Sequence, residues 1–132
     1  MPSGKRHYRL TLADALSAHE RALQTGGLNG ILNIGMIESA LLRPYNGYYR
    51  TIQRKTAALV EFMSTNHGFV DGSKRTTVIL THLLLSKSGY QVNITDKGPL
   101  DVVMEELVVS VVCHELTFEQ LVDWFKMHLR RR

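Results

Sequence analysis

Residues 67–75 carry the side chains that are best suited to chemistry in this chain of 132 residues. They read His-Gly-Phe-Val-Asp-Gly-Ser-Lys-Arg, and a long, mostly apolar segment follows them. If that segment is a helix, its first backbone N–H groups and the positive end of its dipole face the loop. Such a helix terminus binds anions, so the loop is a candidate phosphate site.

Charged and titratable side chains in the loop extend this hypothesis. Lys74 and Arg75 would lie in the first helical turn, where positive charge opposes the dipole, so an anion beside them would explain their position. Asp71 is the kind of oxygen ligand that Mg²⁺ takes together with phosphate oxygens. His67 can accept a proton from an attacking hydroxyl at neutral pH. The four residues predict transfer of a phosphate-containing group from a nucleoside triphosphate to a protein hydroxyl.

Capping residues and hydrophobic periodicity divide the chain into helices joined by short loops, which predicts a single all-α domain over residues 1–132. The segment 73–89 is apolar nearly all round, which is typical of a central buried helix. Ser73 is its expected N-cap and Gly89 its C-terminal glycine. About six helices are expected, at residues 11–26, 33–42, 51–66 and 73–89, then from Pro99 and from Thr117.

Three connecting or terminal segments have patterns of their own. Residues 43–50 contain Pro44 and the pair Asn46-Gly47, which predict a small β-hairpin-like flap. Residues 90–98 read as a polar connector, and residues 130–132, all arginine, read as a solvated tail. No long strand pattern appears.

Histidines outside the loop are expected to be structural or exposed. His82, inside the central helix, is expected to be a hydrogen-bonded core residue, and His19 is expected to support the structure. His114 and His128 are expected at the surface, and no spacing of His, Cys and Asp supports a zinc site. Phe69 is expected to anchor the loop in the core.

Composition limits the possible classes of protein. The chain is 44% apolar and 21% charged, as soluble globular proteins are. Because Cys113 is the single cysteine, no intramolecular disulfide can form, and this residue is expected to be inert in an apolar helix. Together with a polar amino terminus and no run of apolar residues long enough for a bilayer, this predicts a cytoplasmic protein without a membrane partner. A net charge of +4 is compatible with a nucleotide, a nucleic acid or an acidic protein as partner.

The order of residues 67–75 resembles the signature of the Fic/Doc superfamily, His-x-Phe-x-Asp/Glu-Gly/Ala-Asn-Gly/Lys-Arg. The lysine followed by Arg-Thr, the short chain and the upstream Gly26-Gly27-Leu28 resemble the Doc (death on curing) branch. The resemblance covers about residues 19–92 and implies the all-helical Fic/Doc fold.

The resemblance implies a role for each matching residue. His67 corresponds to the general base, Asp71 to the Mg²⁺ ligand, and Arg75 to the arginine that grips the phosphates of ATP. Gly72 corresponds to the small residue that lets phosphate approach the backbone. Expected nucleotide contacts are Gly72, Ser73, Lys74 and Arg75, with His67, Lys74 and Arg75 as the catalytic set.

Two positions decide between activities within the superfamily. Lys74 stands where adenylylating members have glycine; in Doc-like members a lysine there is thought to reverse the nucleotide, so that the γ-phosphate is transferred. Ser73 stands where the family has asparagine, and serine offers fewer hydrogen bonds. The resemblance therefore implies a toxin kinase, with an AMP transferase and a degenerate binding module as alternatives. An RNA-binding or RNA-cleaving toxin rests on net charge alone, and nucleic acid is not an expected partner.

Partners follow from the same resemblance. The Doc branch implies a translation factor such as elongation factor Tu as target, and residues 43–50 correspond by position to the flap that clamps it. No Ser/Thr-x-x-x-Glu-Gly/Asn inhibitory motif is present in the sequence. Inhibition is therefore expected from a separate antitoxin, through a helix-in-groove contact.

Overall fold

The computed structural model describes residues 7–66, 68–94 and 97–132, which form six α-helices and two short strands. In chain order they are α1 (Leu12–Ala22), α2 (Ile34–Leu42), α3 (Ile52–Thr65), α4 (Ser73–Lys87), β1 (Tyr90–Val92), α5 (Leu100–Val112), α6 (Phe118–His128) and β2 (Leu129–Arg131). The prediction of an all-α fold is confirmed. None of the described helices is long and apolar enough to cross a membrane.

Side-chain caps fix where most of the helices begin. At α1 and α6 the caps are reciprocal, because the side chains of Asp14 and Gln120 accept hydrogen bonds back from the backbone of the N-cap residue. An N-cap of this kind stabilises a helix by about 1 kcal/mol. The N-cap residues whose side chains accept a backbone hydrogen bond are the first residues of four of the expected helices: Thr11, Asn33, Thr51 and Thr117.

Helix α4 is central and packs against α1, α3, α5 and β1. Gly89 follows it with a φ of +87°, as expected for a C-terminal glycine. The expected N-cap is wrong, because Ser73 is already helical and Gly72 precedes it as the N-cap with a φ of +82°. The chain enters α4 through a left-handed residue, a conformation that glycine adopts without the steric cost of a Cβ.

One cluster of buried side chains joins all six helices. Helices α5 and α6 each turn an apolar face toward this cluster, since Met104 and Phe125 are fully buried. Burial of such side chains is the main term that stabilises helix packing. Each helix contributes at least one side chain with no exposed surface: Ala15, Ile37, Leu59, Leu80, Met104 and Phe125, in chain order.

The predicted hairpin-like flap at residues 43–50 is wrong. Arg43–Tyr45 form a 3₁₀ turn, and the Asn46 side chain accepts a hydrogen bond from the Tyr48 N–H at 2.9 Å, which closes a further turn. The Tyr45 hydroxyl accepts from the Leu10 N–H at 2.9 Å, so the segment is tied to the amino-terminal residues. Tight turns on both sides of Gly47 leave no extended flanks to pair.

Strands β1 and β2 were not expected from the sequence. They pair antiparallel, with Tyr90 opposite Arg131 and Val92 opposite Leu129. The prediction that residues 90–98 form only a polar connector is therefore wrong. The prediction of a free tail at residues 130–132 is wrong for the backbone, although the three arginine side chains are exposed. Strands of three residues are too short for an alternating pattern to stand out.

Two of the interpretations near the carboxyl end are also wrong. His128 is buried, with its ring stacked on Trp124 at 4.1 Å between centroids and its Nδ1 2.7 Å from the Trp124 carbonyl oxygen. Cys113 is exposed at the C-cap of α5 instead of filling an apolar face. His114 is exposed, as expected.

Candidate active site at the amino end of α4

The loop before α4 is anchored in the core by an aromatic stack. Phe69 is 3% exposed, and its ring lies against the ring of His19 on α1, with 4.0 Å between centroids. Nε2 of His19 lies 2.7 Å from the backbone oxygen of Asp71, and because a carbonyl oxygen can only accept, Nε2 is the donor. The structural roles expected for Phe69 and His19 are confirmed.

Residues 30–32, which the sequence predicted only as part of a short loop between helices, lie beside the motif. Ile31 forms an antiparallel bridge with Phe69, flanked by backbone hydrogen bonds of 2.8 Å and 3.1 Å between residues 30–32 and 68–70. Among the described residues, the backbone hydrogen bonds of Gly68 and Val70 join the candidate loop to this segment and not to residues 43–50. A clue in the sequence is Gly30, because a Cβ there would lie 2.8 Å from the Val70 side chain.

Asp71 presents an exposed carboxylate at the end of the loop. Its Oδ1 accepts from the Gly72 N–H at 2.8 Å, and its Oδ2 accepts from the Leu28 N–H at 3.3 Å. These two backbone hydrogen bonds, that of Gly72 first, hold the pKa of the Asp71 carboxyl below its ordinary value. The ionised group keeps lone pairs for a cation.

The donor set fits Mg²⁺ in one specific way. Among the described residues no group of three or more His, Cys, Asp or Glu side chains could hold a metal ion. Mg²⁺ usually takes one or two carboxylates, with the remaining positions filled by water and substrate phosphates. Asp71 is therefore suited to bind the ion jointly with a bound phosphate chain.

A cleft with a volume of about 450 Å³ opens at the amino end of α4. This volume lies within the range of about 300–1,000 Å³ that is usual for small-molecule sites. His67 lies outside the described residues, but its neighbours Asn66 and Phe69 both line the cleft. The structure brings the other expected site residues together in its lining: Asp71, Gly72, Ser73, Lys74 and Arg75.

Arg75 is held at one side of this cleft by a residue that the sequence analysis missed. Its Nε lies 3.3 Å from Oε1 of Glu105 on α5, and its Nη1 lies 3.4 Å from the Ala22 carbonyl oxygen. Both side chains of the ion pair are nearly half exposed, so solvent screens it and its contribution to stability is small. No sequence pattern marks Glu105, because its role depends on how α5 packs on α4.

A second cavity, with a volume of about 790 Å³, lies between α1, α4 and α5 and shares Arg75 and Glu105 with the first. His82 lines it, and its buried Nε2 has no hydrogen-bond partner in the part of the chain that the structure describes. The expectation of a hydrogen-bonded core histidine is therefore wrong. Burial lowers the pKa of His82, while Asp101 nearby acts in the opposite direction.

Comparison with known proteins agrees with this geometry. The family model described as Fic/DOC family matches residues 9–85, which is more than half of the chain. The match includes α1, α2, α3, the candidate loop and most of α4. A search of curated proteins finds no match.

The left-handed turn at Gly72 is open to a direct test. In Gly72→Ala the new Cβ would lie 3.3 Å from Leu23 in a conformation that L residues rarely adopt. We expect the free energy of unfolding to fall by about 1–3 kcal/mol in urea denaturation. Gly47→Ala is the control, because no atom lies within 4 Å of its added Cβ, and it should change stability by less than about 1 kcal/mol. Equal losses in both variants would contradict this account of the turn.

Proposed function

Because this chain belongs to the Fic/DOC family, we propose that it is a Doc-type protein kinase, which transfers the γ-phosphate of ATP to a threonine or serine hydroxyl of a translation factor. The family comprises enzymes that transfer AMP or phosphate to proteins, typically with ATP and a metal ion. The observation that carries the proposal is the cleft at the amino end of α4, where an acid, two cations and a helix terminus converge.

Phosphate binding in this proposal relies mainly on the backbone. The first α-helical hydrogen bond of α4 runs from the Thr76 N–H to the Gly72 oxygen at 2.9 Å. The N–H groups of the three preceding residues therefore have no carbonyl of the same helix to donate to, and they point out along the helix axis. The dipole adds to them, and Lys74 and Arg75 supply formal positive charge beside the same point.

Each side chain then has a role in the transfer. The acceptor hydroxyl oxygen bonds to the γ-phosphorus, the bond from that phosphorus to the β–γ bridging oxygen breaks, and ADP leaves. The role of His67, to take the hydroxyl proton, rests on its place in the motif. Mg²⁺ held by Asp71 would neutralise charge on the phosphate chain. Arg75 would bind the equatorial oxygens, which requires it to exchange Glu105 for phosphate.

Lys74 supports phosphoryl transfer over AMP transfer. It is exposed in the first turn of α4 and lines the cleft, so its side chain adds bulk beside the helix terminus that glycine would not. The runner-up is an AMP transferase, in which the α-phosphate would take this position. A nucleotide-binding module without catalysis is the third candidate, because Ser73 offers one hydroxyl where the family has an amide.

The test is incubation with Mg²⁺ and ATP labelled at either the γ or the α phosphate, with elongation factor Tu as acceptor. We expect label from the γ position alone, and a loss of at least about 100-fold in His67→Ala, as is usual when a general base is removed. Lys74→Gly should shift transfer toward the α label, because it removes the obstruction.

Three results would redirect the proposal. Transfer of the α label by the unaltered chain would make it an AMP transferase. No transfer, together with a shift in melting temperature on addition of ATP and Mg²⁺, would favour the nucleotide-binding module, and no transfer without such a shift would favour a degenerate module that binds protein only. If Ser73→Asn then restored neither nucleotide binding nor transfer, the family activity would be excluded for this chain.

The target is proposed to dock along the segment beside the motif. Because Ile31 and Phe69 form a non-hydrogen-bonded pair, the N–H and C=O of Ile31 point away from residues 68–70. Within the described chain neither group has a hydrogen-bond partner. Leu28 and Leu32 beside it are 69% and 65% exposed. An open backbone edge between exposed apolar side chains fits an extended peptide that adds as a strand.

Leu32→Lys tests this edge. It should raise the KM for the protein acceptor by roughly tenfold or more, because a charge replaces an apolar contact, and it should leave the ATP-induced shift in melting temperature unchanged. Leu42→Lys, at the other end of α2 and 61% exposed, is the matched control and should leave the KM unaltered. If both substitutions raise the KM equally, the docking segment lies elsewhere.

An antitoxin is proposed to bind the groove between α1, α4 and α5. Since His19 of α1 contacts Asp71 before α4, the two helices run antiparallel, and the site end of the groove carries Arg21 and the ion pair of Arg75 with Glu105. The far end carries Asp14 and Asp101. The apolar floor between the two ends, made of buried Ala18 and Val78 and partly buried Ile79 and Leu83, suits an amphipathic helix with complementary charges.

Co-expression with the product of the adjacent short reading frame tests the groove. That product should relieve growth arrest caused by the unaltered chain, and Leu83→Glu should prevent the relief, because a carboxylate would lie on the apolar floor. The variant should remain toxic when expressed alone. Full relief in Leu83→Glu would place the antitoxin elsewhere.

A further inference from the structure

The end of α4 opposite the cleft carries a concentration of positive charge. Five exposed cations gather there from three parts of the chain, and they are named here the basic face: Arg9, Lys87, Arg130, Arg131 and Arg132. Helix α4 has 15 residues, so at about 1.5 Å per residue its two ends are about 20 Å apart. The basic face is therefore separate from the phosphate cleft.

Backbone contacts bring these cations together. The strand pairing places Arg131 opposite Tyr90, and the Arg132 N–H donates to the Gly89 oxygen at 3.0 Å. Nη1 of Arg132 lies 2.6 Å from the Ser86 hydroxyl at the end of α4. The amino-terminal segment joins them through the Tyr8 N–H, which donates to the Ser88 hydroxyl at 2.9 Å.

Aromatic rings lie directly under three of the cations. The rings are partly buried, and each has one face in contact with a charged group. The charged groups themselves remain exposed to solvent. The pairs, with the distance from charge to ring centroid, are Arg9 with Tyr45 at 4.8 Å, Lys87 with Tyr8 at 6.0 Å, and Arg131 with Tyr90 at 5.5 Å.

In the part of the chain that the structure describes, no ion pair joins a carboxylate to the basic face. The two ion pairs in the described residues, Arg54 with Glu119 and Arg75 with Glu105, both lie elsewhere. Asp14 lies beside the face, because it accepts a hydrogen bond at 2.8 Å from the hydroxyl of Tyr8, whose ring lies under Lys87; it also accepts from the Thr11 N–H at 3.0 Å as part of the α1 cap. A cluster of five like charges repels itself. The carboxyl ends of α4 and α6 favour only the two cations nearest to them, Lys87 and Arg130, whose Nη1 donates to the Met127 and Leu129 oxygens.

From this juxtaposition of exposed cations and tyrosine rings we propose that the basic face binds single-stranded RNA. Exposed arginines and lysines contact the phosphate backbone, and each contact releases a counterion. Unpaired bases can stack on the outer faces of the guanidinium planes of Arg9 and Arg131, which lie over tyrosine rings, and a duplex does not offer such contacts. The contact leaves the catalytic cleft open and would hold the enzyme beside RNA.

Fluorescence anisotropy with a labelled 20-nucleotide single-stranded RNA tests the proposal. We expect binding that weakens with KCl, with a slope of log K against log[salt] of roughly −3, since each phosphate contact on a single strand contributes about −0.7. The double variant Lys87→Gln/Arg131→Gln should bind at least about tenfold more weakly and lose about 1.4 from the slope. Its melting temperature and its response to ATP should match those of the unaltered chain.

Arg43→Gln/Lys126→Gln is the matched control, because it removes the same charge from two exposed residues outside the basic face. It should reduce affinity by less than about threefold. The proposal is overturned if RNA fails to bind at 50 mM KCl, or if both double variants weaken binding equally. Tighter binding to duplex DNA or to vesicles with phosphatidylserine would also overturn it. None of these results depends on transferase activity, so this proposal can fail while the kinase proposal stands.

Discussion

The amino end of α4 is the feature on which the rest of the site depends. Gly72 turns the chain into this helix with a φ of +82°, and the stack of Phe69 on His19 holds the preceding loop against the core. Backbone N–H groups that no helix carbonyl can satisfy thereby point into a cleft beside Asp71 and Arg75. A helix terminus of this kind is stabilised by an anion, and placing two cations there adds to that demand.

Helix α4 also separates two charged regions of the molecule. Its amino end faces the cleft, where the positive groups are partly balanced by Asp71 and Glu105. Its carboxyl end adjoins the basic face, which has no such balance among the described residues. A compact binding site for one nucleotide needs acids as well as cations, because a metal must be held and an arginine oriented. A surface for a polyanion needs cations but no acids, because it holds no metal and orients no single arginine. This is consistent with the difference between the two ends of α4.

Local chemistry made much of this structure predictable. The caps at Thr11 and Thr117 and the glycine at position 89 act through contacts a few residues apart, so single positions in the sequence identify them. The core around α4 follows from its apolar surface on all sides. The candidate loop was found because its residue types stand together in the sequence.

Features that arise from packing could not be predicted in this way. The bridge of Ile31 with Phe69 and the pairing of Glu105 with Arg75 join positions that are 38 and 30 residues apart, and no pattern in either segment specifies the partner. Strand β2 consists of a leucine and two arginines, a composition typical of a solvated tail. The hairpin expected at Asn46-Gly47 failed because the Asn46 side chain closes a local turn instead.

The central claim is that triphosphate oxygens bind the backbone at the amino end of α4. Titration of the ¹⁵N-labelled protein with ATP and Mg²⁺, followed by amide chemical shifts, measures this contact residue by residue. We predict that the largest shifts occur at the amides of Ser73, Lys74 and Arg75, with little change at Lys87 or Arg131. Shifts concentrated at the basic face, or spread evenly with none at the α4 terminus, would contradict the account.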